Sequence, residues 1–152
     1  MGDLVSDIGF THVALLCGDV DASVGFYRKY ARMEVVHQRS DGGTRVAWIS
    51  DRTRPFVIVL IQVPRYVPRP LLRAANGILR TLVPFEHLGV GCSSRAEVDR
   101  LCADAKAEGR LDRGPTDYGP PVGYWAFITD PDGHTLEVSH GQEIGLTVDR
   151  TK

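Results

Sequence analysis

The chain has few cysteines. The three it carries, Cys17, Cys92 and Cys102, are too scattered for a disulfide framework. A reducing cytoplasm is therefore the expected compartment. It also lacks a surplus of charge: 18 Lys plus Arg stand against 19 Asp plus Glu in 152 residues, a net charge of -1. Without a basic excess there is no global electrostatic case for nucleic-acid binding. No apolar run approaches the roughly 18 residues that a membrane helix needs. The opening residues carry Asp3 and Asp7 and no basic stretch, which argues against a secretory signal. Gly2 and Ser6 have the spacing of a myristoylation site, yet no nearby basic cluster supplies a second anchor. The 16 Gly follow no three-residue period, which excludes a collagen-like chain. With 43% hydrophobic and 24% charged residues, the composition is that of a folded globular protein and not of a disordered one.

What is present is an internal repeat. Phe10-Thr11-His12 followed by Cys17 recurs as Phe85-Glu86-His87 followed by Cys92, every match at an offset of 75 residues. A second block, Ala47-Trp48-Ile49-Ser50-Asp51, recurs as Ala126-Phe127-Ile128-Thr129-Asp130 at an offset of 79. Two blocks in the same order indicate two copies of one module of about 60 residues. In the first copy, 10–16 reads as a buried strand and 20–31 as a helix capped by Asp19, with strands near 33–38, 44–50 and 56–63. The second copy predicts a strand at 86–92, a helix at 94–108 capped by Ser93 or Ser94 and ended by Gly109, and strands near 110–114, 122–129 and 134–140. Each module is thus β-α-β-β-β, within an α+β domain made of residues 8–63, an insertion 64–84 and residues 85–141.

The insertion contains four Pro, four Arg and no acidic residue. Leu71, Ala75, Leu79 and Leu82 fall on one side of a predicted helix over 70–82, and Arg69, Arg73 and Arg80 on another. The plainest reading packs the apolar stripe onto the domain. A lid at the mouth of a site, a dimer contact and an anion-attracting patch are the alternatives.

The segments FTHVALLCGDVDASVGFYRKYARMEVV and DPDGHTLEVS resemble the vicinal oxygen chelate superfamily, which includes glyoxalase I, bleomycin-resistance proteins, fosfomycin-resistance enzymes and extradiol dioxygenases. The resemblance spans about residues 8–140. It implies two βαβββ modules forming a cup-shaped mixed sheet, and usually a homodimer. It also implies one divalent metal, Fe, Mn, Ni or Zn, held by His12, His87 and Glu137, with Glu137 as the catalytic group. The fourth family position falls on Ile58 or Val59, depending on how the modules are aligned, and is apolar either way; Gln62 lies too far along the strand. The missing carboxylate counts against glyoxalase I activity. Phe127 stands where extradiol dioxygenases carry a catalytic Tyr, which counts against ring cleavage.

Two imidazoles and one carboxylate suit a first-row metal with open positions. Trp48, Tyr124, Trp125 and Phe127 are candidate walls for a substrate, and Arg69 and Arg73 candidate partners for its anionic group. The expected function is a metal-dependent enzyme, of lyase, isomerase or dioxygenase type, acting on a small molecule that chelates through neighbouring oxygens. The alternative is a non-catalytic antibiotic-binding protein. His134 and His140 share a strand parity opposite to that of Glu137 and are expected away from the site, and His37 ends a strand with nothing to demand a role.

Overall fold

The computed structural model of the chain describes residues 9–41, 43–64, 67–82 and 86–144. Phe85 of the repeat, and Gly2 with its myristoylation spacing, lie outside the described residues. The chain divides into two compact units, the first ending at Leu72 and the second starting at Arg73.

The first unit contains β1 (His12–Cys17), α1 (Val20–Ala31), β2 (Glu34–Asp41), β3 (Thr44–Ser50) and β4 (Val57–Gln62). Its sheet runs β1-β4-β3-β2, with β1 and β4 parallel and the other neighbours antiparallel. α1 starts where Asp19, in an extended conformation, accepts hydrogen bonds from the N–H groups of Asp21 (3.0 Å) and Ala22 (3.3 Å). Val20, Val24, Tyr27 and Ala31 recur at helical spacing, and all are buried. They pack against the face of β3 and β4 that carries Ala47, Ile49, Ile58 and Leu60, none of them more than 2% exposed. Each such large side chain is worth roughly 1.5–3 kcal/mol of burial. Tyr27→Ala would open the largest void. The helix ends at Arg32, which takes a left-handed φ of 54°.

α2 (Arg69–Leu82) follows and runs across the division between the units. The second unit then repeats the plan with β5 (Leu88–Gly91), α3 (Arg95–Ala107), β6 (Leu111–Asp117), β7 (Tyr124–Thr129) and β8 (Thr135–His140), in sheet order β5-β8-β7-β6. Of the two candidate caps of α3, Ser94 fills the role: its hydroxyl accepts from the Glu97 N–H at 3.1 Å. The Glu97 carboxylate reaches back to the N–H (2.7 Å) and hydroxyl (2.8 Å) of Ser93. Val98, Leu101, Cys102 and Ala105 are its buried stripe. Asp130 shapes the β7–β8 turn by accepting from the N–H groups of Asp132 and His134, each at 2.8 Å.

Three elements differ from expectation, the first being β2, which runs to Asp41, past the predicted 33–38. β6 extends to Asp117, well past the predicted 110–114. Gly114 and Pro115 read as a break in the sequence, but β6 is an edge strand, and its register shifts between Leu111 and Arg113 and between Arg113 and Thr116 absorb them. α2 corrects the reading that packs its apolar stripe onto the domain: Leu71, Ile78, Leu79 and Leu82 are each at least 50% exposed. No helix among the described residues is long and apolar enough to cross a membrane.

Candidate functional site

In the second unit, the pairing Gly89↔Glu137 on one side and Phe127↔Glu137 on the other places Glu137 in the middle of the sheet. Strand alternation puts His87, two residues before Gly89, on the same face. The His87 Nε2 lies 3.2 Å from the Glu137 Oε2. Glu137 is 6% exposed, and a carboxylate so buried needs partners. Its second oxygen accepts a hydrogen bond from the Nε2 of Gln142. The chain turns at Gly141, φ 80°, to bring that amide back. The segment is clasped by the 118–123 loop, where the Glu143 N–H donates to the Pro121 carbonyl at 3.1 Å. A Cβ built on Gly123 would lie 2.5 Å from the His140 carbonyl oxygen, so only glycine lets this loop close. The opposite side of the row is open, because a Cβ on Gly89 or Gly91 meets nothing within 4 Å.

Beside the carboxylate runs an aromatic ladder. Ring centroids step from His87 to Phe127 (5.0 Å), from Phe127 to Trp125 (4.7 Å) and from Trp125 to Tyr118 (5.4 Å). The Arg113 guanidinium sits 5.9 Å from the Phe127 ring. Trp125 Nε1 and Thr135 Oγ1, on this same face, are buried without a hydrogen-bond partner. Tyr124 is not brought to this face. As the strand neighbour of Trp125 it points the other way, donates its hydroxyl to Asp99 of α3 and stacks under Arg95. The hydrogen bond to Asp99 is the main reason its hydroxyl is pushed up to about 12. His140 likewise faces away, its Nδ1 3.0 Å from the Cys92 carbonyl. Burial pushes the Cys102 thiol to about 11, so it stays protonated at neutral pH.

The first unit presents the equivalent row. Ala14, two residues past His12, pairs with Val59, which pairs in turn with Trp48. This register makes Val59, not Ile58, the counterpart of Glu137, and Trp48 the counterpart of Phe127; Ile58 faces α1 and is 2% exposed. His12 opens β1, exposed, with its Nδ1 3.1 Å from the Thr11 hydroxyl. Trp48 is 40% exposed and meets His37 edge-on at 5.1 Å. Gln62 is engaged elsewhere: its side-chain oxygen accepts from the Val20 N–H at 3.1 Å, at the start of α1. Arg69 donates to the Gly18 carbonyl and pairs with Asp19, both at 3.1 Å, beyond the end of β1 remote from His12. Arg73 is exposed on α2. Among the described residues, no three His, Cys, Asp or Glu side chains gather to hold a metal within either unit. His87 and Glu137 are the two such side chains that meet in the second unit's row.

Residues 9–138 match the Glyoxalase/Bleomycin resistance protein/Dioxygenase superfamily. The chain belongs to this superfamily. The uncharacterized protein PA2024 of Pseudomonas aeruginosa is 35% identical over 135 residues, 89% of this chain and 90% of its own. Three solved structures share the superfamily fold at lower identity. A glyoxylase/bleomycin resistance protein/dioxygenase domain from Frankia sp. EAN1pec (TM-score 0.67, 20% identical) covers 90% of this chain and 100% of its own. The fosfomycin resistance protein FosX of Listeria monocytogenes, complexed with Mn(II) and 1S,2S-dihydroxypropylphosphonic acid (TM-score 0.63, 16% identical), covers 94% and 99%. TnmS3, an antibiotic binding protein from Streptomyces sp. CB03234 (TM-score 0.59, 17% identical), covers 90% and 98%.

Proposed function

We propose that this superfamily member is a metal-dependent enzyme acting on a small molecule with two neighbouring oxygens. The observation that carries the reading is the pair of the buried Glu137 carboxylate, steadied by Gln142, and the solvent-reached His87 imidazole 3.2 Å from it. An imidazole and a carboxylate facing each other on rigid strands fit Mn(II), Fe(II), Ni(II) or Zn(II). His12, at the repeat-equivalent place of β1, is the third donor. A bound metal would act as a Lewis acid on the substrate oxygens, or activate O₂ if it is iron. Glu137, beside the open side at Gly89, is placed to exchange a proton with a bound substrate. Gln142 orients the carboxylate by holding one oxygen. Phe127 and Trp125 form an apolar wall that excludes water, and Trp48 offers a second aromatic surface.

A second reading, a protein that binds an aromatic ligand without catalysis, is favoured by the ladder from His87 to Tyr118. Metal analysis of protein purified without a polyhistidine tag separates the two. The enzyme reading expects about one divalent metal per chain, lost from the His12→Ala/His87→Ala double variant. Full retention in that variant, or no uptake by the native protein on adding Mn(II) or Zn(II), overturns it.

A further inference from the structure

The register of the second sheet sets three side chains in one row on the face of Glu137. Glu137 of β8 pairs with Phe127 of β7, and Phe127 pairs with Arg113 of β6. Directly paired residues of an antiparallel sheet project from the same face. A carboxylate and a guanidinium thus flank one aromatic ring, with the Arg113 guanidinium 5.9 Å from the ring centroid. Neighbouring strands are about 4.8 Å apart, so the backbones of Glu137 and Arg113 stand roughly 10 Å from each other. Glu137 is buried, whereas Arg113, on the edge strand, is exposed. The rows on either side each hold an unpartnered polar atom. Trp125, paired with Ser139, has no acceptor for its indole N–H, and Thr135, paired with Thr129, has no partner for its hydroxyl. Both residues are 5% exposed. A buried donor without an acceptor costs stability, and a ligand oxygen that accepts from it removes that cost.

We propose that Arg113 selects the substrate, which carries an oxyanion group, a carboxylate or a phosphoryl group, at the end away from its neighbouring oxygens. Arg113 binds that group across the Phe127 ring, and the Trp125 N–H is a further donor to it. The inference rests on the metal-enzyme reading for the chelating end and adds the chemistry of the other end. A guanidinium presents its N–H groups in a planar fork that fits two oxygens of a carboxylate or phosphoryl group. The ring between the two charges is an apolar floor for the short carbon link. Glu137 repels an anion and Arg113 attracts it, so the row admits the ligand in one orientation. Arg113 takes the role for which the sequence offered Arg69 and Arg73: Arg69 is held by Gly18 and Asp19, and Arg73 lies on α2. A ligand with a hydrocarbon end would leave the Trp125 N–H without an acceptor.

Three acids with the same chelating end test it: lactate, and malate and 3-phosphoglycerate, in which the lactate methyl bears a carboxylate or a phosphate. Isothermal titration calorimetry of the native protein, with and without added Mn(II), should show malate or 3-phosphoglycerate binding at least ~10-fold tighter than lactate, the effect of one charge-assisted contact. Arg113→Gln should bring all three acids to similar affinity. Arg113→Lys should keep part of the preference, because the charge remains without the fork. Arg113 is exposed, so the melting of both variants should match that of the native protein. In ¹H–¹⁵N spectra, Trp48→Phe assigns the remaining indole signal to Trp125, since the chain has two Trp. The preferred acid should move that signal downfield in step with its binding. A stationary signal overturns the part given to Trp125. Equal affinity for the three acids, no binding of any at millimolar concentration, or a preference that survives Arg113→Gln overturns the proposal. Failure of the metal reading looks different: Mn(II) then tightens none of the three, while the preference that depends on Arg113 remains.

Discussion

Val59 in the first module and Glu137 in the second stand at one point of the same ladder. Each pairs with the residue two past the module's histidine, and each has an aromatic residue, Trp48 or Phe127, on its other side. The surroundings then diverge. Around Glu137 the chain supplies His87, Gln142 and the 118–123 clasp, and the carboxylate is buried and satisfied. The first unit's row has an apolar residue, Val59, at that point, and Gln62, an amide on the same strand, accepts from the Val20 N–H at the start of α1 instead. A duplicated module has thus kept its backbone plan and concentrated the polar chemistry in one copy. Burying a carboxylate demands a full set of partners, and that set was built once.

The comparison breaks most sharply at the paired positions. Glu137→Gln should abolish stoichiometric metal binding, while Val59→Ala should leave it intact; inductively coupled plasma mass spectrometry reads both. Retention of metal in Glu137→Gln would show that the two positions do not differ in this way.

The next effect is on stability. Gly123→Ala forces a Cβ against the His140 carbonyl at φ 84° and should cost about 2–4 kcal/mol, a fall in Tm of roughly 5–15 °C. Gly43→Ala in the first module has a similar φ, 85°, but open space around it, and should cost about 1 kcal/mol. Equal melting shifts would mean that the clasp is not tight. A smaller loss is expected of Gln142→Leu, which leaves His87 and Glu137 but removes the amide that holds the Glu137 carboxylate. Its metal affinity by isothermal titration calorimetry should drop about 10–100-fold. An unchanged affinity would remove Gln142 from the site.

The subtlest contrast lies in the β3–β4 and β7–β8 turns. Asp51 is exposed and accepts from Thr53, whereas Asp130 is 1% exposed, and burial raises its pKa above the ordinary 3.8. A carboxyl whose folded pKa is raised is easier to keep protonated in the folded state. Its ionisation therefore lowers stability as pH climbs from about 4 through the raised value, and the penalty is absent below 3.8. Asp130→Asn retains an oxygen for the two N–H donors. Relative to the native protein it should gain stability toward neutral pH, with no gain at pH 3. Denaturant midpoints across pH decide it.

Much of this was legible in the sequence. The repeated Phe-x-His blocks, the Asp19 and Ser94 caps and the Asp130 turn act locally, so their residues announce them. His87 and Glu137 were legible as a candidate pair because one recurs in the repeat and the other matches a motif, and the two side chains do meet. Other features depended on distant geometry. Gln142 enters the site only through the Gly141 turn and the Gly123 clasp, which no short pattern encodes. The choice between Ile58 and Val59 required the strand register. An amphipathic pattern says which side of α2 is apolar but not which side meets the protein. Tyr124 could have been excluded earlier, since adjacent residues of one strand cannot share a face with Glu137's row.

The buried cysteines carry a practical consequence. Cys17, 1% exposed, closes β1 in the first module, and Cys102, 4% exposed, sits on the buried face of α3 in the second. Each thiol can meet a solvent-borne alkylating reagent only when its own module opens. The unmodified protein therefore contains two built-in clocks of local unfolding. Mass-resolved alkylation of the native chain, timed separately at each site, would tell whether the halves of the duplication breathe together or as independent cooperative units.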